Sequence, residues 1–180
     1  MNSASSAAVV TVFGASKVGP ESSEYQLGYE LGRLLGEHGY TICNGGYDGT
    51  MEAVAKGVKE TGGRTIGVLV QSLSHRATNP FIDDVEETES LLYRLEKLVT
   101  LGDAYVVLPG GIGTLLEFAL VWNLAQVREQ EKPIVLIGAN WQSTVDAFGQ
   151  YLLVRENDLY HLTMVDTAEE AVRVLEAKLK

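Results

Sequence analysis

Glu117 and the glycines just before it are the residues of this chain best suited to chemistry, and they stand in Pro109-Gly-Gly-Ile-Gly-Thr-Leu-Leu-Glu117. Gly110, Gly111 and Gly113 put no Cβ in the way, so backbone N–H groups there can converge on a ligand. Thr114 reads as opening a helix to about Val127, and a helix N-terminus offers unpaired N–H donors with roughly half a positive charge. That combination suits a phosphate. Glu117, one turn further on, has two readings. It is a carboxylate facing whatever the loop holds, or it is the partner of Thr114 in a capping box.

Two more turns follow strand-like segments, Gly14-Ala-Ser16 and Gly45-Gly-Tyr-Asp-Gly-Thr50. Ser16, Gly45 and Gly46 are thus candidates to close on the same ligand. The second turn repeats the order Gly-Gly, spacer, Gly-Thr, helix found at Gly110, as one physical solution used twice. Asp48 and Glu52 read as solvated acids favoured by a helix dipole, and Arg94 alone reads as an exposed helix residue or a partner of Glu87 or Glu89. His38, His75 and His161 are scattered and read as surface residues; without H-x-x-x-H or C-x-x-C no metal is expected. Neither G-x-G-x-x-G after the first strand nor G-x-x-x-x-G-K-[ST] occurs, which speaks against ordinary NAD binding and P-loop phosphoryl transfer.

The elements that must position these residues alternate. Strands are predicted at 7–13, 40–43, 65–70, 104–108, 134–137 and 162–165 from short apolar, β-branched runs. Between them helical spacing places Leu27, Leu31, Leu34 and Leu35 on one face, then Met51, Val54, Ala55 and Val58, then Leu91, Leu95 and Leu98, with a further helix over 141–154. Ser23-x-x-Gln26 and Thr167-x-x-Glu170 read as capping boxes, and Ser90 as a cap. Residues 71–89 show no regular pattern and read as a mobile surface segment able to cover a site. This alternation predicts one α/β domain over 1–180, a Rossmann-like three-layer fold with a mainly parallel sheet and helices on both faces. In such sheets ligands bind at the carboxyl ends of the strands, where all three turns emerge.

A net charge of −10 over 180 residues argues against DNA or RNA, which need a broad basic face, but allows a small phosphate ester held by local dipoles. Cys43 is the single cysteine, so no internal disulfide can form and a reducing, cytoplasmic setting is expected. Met1-Asn-Ser-Ala-Ser-Ser6 lacks a signal-peptide pattern, and no apolar run approaches the ~20 residues that span a bilayer, so no membrane is expected as a partner.

Pro109-Gly-Gly-Ile-Gly-Thr-Leu-Leu-Glu117 resembles P-G-G-x-G-T-x-x-E, the signature of the Lonely-guy family of nucleoside-monophosphate phosphoribohydrolases, once mislabelled lysine decarboxylases. The resemblance extends to Val12-Phe-Gly-Ala-Ser16, Gly45, Gly46, Gly49 and Met51, Gly62-Gly63 with Ile66-Gly-Val68, and Lys132-Pro133. It implies a Rossmann-like homodimer that hydrolyses the N-glycosidic bond of a nucleoside 5′-monophosphate, a cytokinin-type nucleotide among the choices, to free base and ribose 5-phosphate without a cofactor. It also implies that Glu117 works with an arginine from an M-H-x-R-K segment; Arg94, in Leu91-Leu-Tyr-Arg-Leu95, stands at that offset with different neighbours. The phosphate would sit on Gly110, Gly111, Gly113 and Thr114, closed by Ser16, Gly45 and Gly46. Leu115, Leu116, Phe118, Val121 and Trp122 are the expected dimer surface. The decarboxylase label would need a lysine placed for pyridoxal phosphate, which no motif supplies. The alternative within the same broad group is a non-catalytic carrier of a phosphorylated ligand such as molybdenum cofactor.

Overall fold

The computed structural model describes residues 7–179; Met1–Ser6, read above for a signal peptide, lie outside them. Among the described residues seven strands form one sheet: β1 Val9–Phe13, β2 Thr41–Asn44, β3 Thr65–Val70, β4 Asp84–Thr88, β5 Ala104–Val107, β6 Ile134–Ile137 and β7 Leu162–Val165. Their order is β4-β3-β2-β1-β5-β6-β7 and every pairing is parallel, so the expected sheet is found with one strand more than predicted. The added strand, β4, lies in the stretch read as irregular. It pairs with β3 from Ile66↔Asp84 to Val70↔Thr88. Acidic Asp84, Glu86 and Glu87 conceal it from an apolar pattern, and an edge strand has no second neighbour to demand apolar side chains.

The helices are α1 Ser23–Glu37, α2 Thr50–Glu60, α3 Leu91–Leu101, α4 Ile112–Gln126, α5 Ala139–Tyr151, the short α6 Glu156–Leu159, and α7 Ala168–Lys178. Strand side chains alternate between two cores, as a pleat requires. Val10, Val12, Ile42 and Val106 meet Leu31, Leu35, Val54 and Leu175 from α1, α2 and α7 on one face. Phe13, Cys43, Tyr105 and Val107 meet Leu98, Phe118, Val121 and Trp141 from α3, α4 and α5 on the other.

Caps set the helix starts. Ser90 and Thr167 accept N–H bonds from Tyr93 and Glu170 as predicted, but α1 is capped by Ser22, which accepts from Tyr25, while Gln26 turns back to the Pro20 carbonyl. Leu91, placed on the buried face by spacing, is exposed as the first residue of its helix. Because β1 sends its chain to α1 on one face and β5 sends its chain to α4 on the other, a crevice opens between their carboxyl ends.

Candidate functional site

The crevice is a cavity of about 420 Å³ lined from four loops and three helices, α2, α3 and α4, and Ser16, Gly45, Arg94, Gly111, Gly113, Thr114 and Glu117 all face it. Helix α4 starts at Ile112 with Gly111 as its N-cap and no side chain capping it, so its first turn is open toward the cavity. The start at Ile112 rather than Thr114 removes the capping-box reading of Glu117: the carboxylate lies inside the helix, turned to the cavity. Gly110 holds the loop in shape, since a Cβ there would fall 2.1 Å from Thr114 Oγ1. Gly46 faces the sheet, with its φ of +73° and a would-be Cβ 2.7 Å from Leu69.

The two similar glycine turns fold differently. In the first, Gly49 at φ +76° caps α2, and Thr50 donates both its N–H and its hydroxyl to the Ala15 carbonyl, at 2.8 and 3.1 Å. That helix start is spent on fixing the Gly14–Ser16 turn. Only the second turn leaves its helix end facing the cavity.

Arg94 is buried, 8% exposed, and not the surface residue that spacing suggested. Its Nε donates to the Val68 carbonyl at 2.8 Å and Nη2 to the Gly45 carbonyl at 3.4 Å, while Nη1 lies 3.7 Å from Glu117 Oε1. A glycine is required for this path, because a Cβ on residue 45 would stand 2.0 Å from Nη2. Glu117 feels two opposed influences. Burial disfavours its charged form, Arg94 favours it, and burial prevails, pushing the carboxyl up to about 7. A group poised there can take or give a proton near neutral pH. Cys43 is fully buried and its thiol is pushed up to about 12, so it supplies no nucleophile.

Sequence spacing did not bring forward Lys17, Tyr47, Leu73 or Arg76, which also line the cavity. Tyr47 is buried, with Arg76 Cζ 4.8 Å and Arg94 Cζ 5.7 Å from its ring centroid. Arg76 arrives from the unpatterned stretch 71–83, begun by a 3-10 turn at Gln71–Leu73. Asn79 fastens that stretch by donating its N–H to the Gly46 carbonyl and its side chain to the Tyr47 carbonyl, at 3.0 and 2.9 Å. Asp48 pairs with Arg76 at 3.3 Å and Glu52 accepts from the Tyr25 hydroxyl, so neither acid faces the cavity. A larger, open depression of about 950 Å³ between α5, β7 and α7 holds none of these groups.

The cytokinin riboside 5′-monophosphate phosphoribohydrolase of Mycobacterium tuberculosis is 32% identical over 114 residues, covering 62% of this chain and 61% of its own length. The rice enzyme of the same name, LOG, is 29% identical over 174 residues, covering 93% of this chain and 72% of its own. Among solved structures, the molybdenum cofactor binding protein of Rippkaea orientalis superposes with a TM-score of 0.79 at 22% identity, covering 97% of this chain and 98% of its own, which establishes the shared fold. The stretch 7–172, which holds the glycine loop, Arg94 and Glu117, matches one family throughout, and the chain belongs to the SLOG cluster4 family.

Proposed function

We propose that the protein hydrolyses the N-glycosidic bond of a nucleoside 5′-monophosphate, releasing free base and ribose 5-phosphate. The observation that carries this is the largely buried Glu117 carboxyl, 13% exposed and 3.7 Å from Arg94, on the same helix whose open N-terminus faces the cavity. The phosphate sits on the Gly111–Thr114 end of α4, with Ser16 opposite, and brings the ribose to Glu117. As the bond to C1′ breaks, the sugar gains oxocarbenium character, which the carboxylate stabilises while it orients a water and takes its proton. Arg94, fixed by two carbonyls, keeps part of the Glu117 population ionised at neutral pH. Names of the mycobacterial and rice relatives support the same reaction and put cytokinin-type nucleotides among the substrates to try.

The test is a panel of nucleoside monophosphates, their bare nucleosides and molybdopterin. Ribose 5-phosphate released from a monophosphate, with the nucleoside inert, is the expected result, because the loop's donors would otherwise stay unpaired. Tight pterin binding without release of ribose 5-phosphate would overturn the reading in favour of a carrier.

A homodimer in the cytoplasm belongs to the same proposal. Phe118 and Val121 lie in the core, so they leave the expected surface; Leu116 on α4 and Tyr151, Leu152, Leu153 and Tyr160 around the α5–α6 link are exposed apolar residues, and Leu153 lies against Ala119 and Trp122 of α4. Sedimentation at micromolar concentration is expected to give a dimer, and a monomer there would refute it. The single thiol, Cys43, is unpaired and buried, which fits a reducing compartment.

A further inference from the structure

Arg76 has no part in the chemistry described so far, yet it is built into the cavity. Its guanidinium lies 4.8 Å from the centre of the Tyr47 ring, and its backbone N–H is held by the Leu73 carbonyl at 2.8 Å. Asn79, buried, ties the following residues to the β2–α2 loop. Its charge partner, Asp48, is 62% exposed in its side chain, and pairs of that kind are weak enough to be exchanged. Arg94, by contrast, is committed to Val68, Gly45 and Glu117.

Position along the sheet tells which end of a ligand Arg76 meets. The lining loops leave the adjacent strands β5, β1, β2 and β3 in that order. Strands lie about 4.8 Å apart, so the ends of β5 and β3, from which the glycine loop and the Arg76 turn leave, are about 14 Å apart. A nucleotide with its phosphate on the start of α4 therefore extends its base toward Tyr47, Leu73 and Arg76.

We propose that Arg76 is the leaving-group residue of this site, offsetting the negative charge that the base acquires as it departs. The proposal rests on the phosphoribohydrolase reading. The C1′–N bond breaks and its electron pair goes to the base, while the water oxygen bonds to C1′ and gives one proton to Glu117. Arginine stays charged throughout, so Arg76 stabilises the departing base without giving it a proton; the base takes a proton from solvent, and Glu117 releases to solvent the proton it took from the water.

The test compares a purine nucleotide that the wild type cleaves with its N7-methyl derivative, whose base is cationic in the substrate and leaves neutral. Arg76→Ala is expected to lower kcat about a hundredfold on the first and less than about fivefold on the second, in line with loss of one charge-stabilising donor. Arg76→Lys should recover part of the first loss, and melting curves check that both variants fold. Equal losses on the two nucleotides, or a change confined to KM, would overturn the assignment. Failure of the wild type to release ribose 5-phosphate from either would instead overturn the hydrolase reading on which it rests.

Discussion

Glu117→Gln is expected to make the protein more stable at alkaline pH while it destroys activity. Burial raises the Glu117 carboxyl from 4.5 to about 7 against the pull of Arg94. A carboxyl raised in this way holds its proton more tightly in the folded chain than in the unfolded one, so between about pH 4.5 and 7 unfolding releases protons. Folded stability therefore falls as pH rises through that window, and the full penalty is present above it. Roughly 2.5 pH units at 1.36 kcal/mol each amount to about 3 kcal/mol. The attraction of Arg94 is already inside that figure, since it limits the shift. Glutamine keeps the shape and loses the charge. In a chain of this length 1 kcal/mol moves the melting temperature by roughly 2–4 °C, so Glu117→Gln at pH 8 should melt roughly 6–12 °C above wild type. The gain should shrink toward zero near pH 4.5. Melting curves by circular dichroism across this range decide the matter: a variant no more stable than wild type at pH 8 would mean that the Arg94 pair outweighs the cost of burying the carboxylate.

Activity should follow the same ionisation. With Glu117 as the base that takes the water's proton, kcat/KM is expected to rise with pH and level off above about 7, and a fall through that region would make it an acid instead. Gly45→Ala places a Cβ 2.0 Å from Arg94 Nη2 and 2.7 Å from Met51 Sδ, so Arg94 must leave its position; at least a tenfold loss of kcat is expected in a folded protein, and full activity would refute the role given to that path. Gly111→Val meets no atom within 4 Å of its Cβ and has an ordinary φ of −102°, so the variant should fold normally; calorimetry is expected to find nucleotide binding lost, and unchanged affinity would move the phosphate elsewhere.

Periodicity along the chain carried the α/β alternation, most strand cores and the glycine loop, because a strand buried on both faces and an amphipathic helix each leave a local pattern. The signature residues also located the end of the sheet where the cavity opens. Local patterns could not show that Arg94 is buried: its neighbours Leu91, Leu92 and Tyr93 are exposed, and its place depends on Gly45 in the turn after β2 and Val68 in β3, both distant in sequence. Nor could spacing choose between cap and cavity for Glu117, since that turned on whether α4 starts at Ile112 or Thr114. The edge strand β4 stayed hidden because acidic side chains are tolerated where one side of the strand has no neighbour. Two glycine turns of similar sequence took different tasks only in three dimensions, one helix start being consumed by the Ala15 carbonyl while the other was left facing the cavity. Residue type and spacing thus determined which groups could do chemistry, whereas the strand order, which lays four loops side by side, decided which of them meet and that Arg76 joins them.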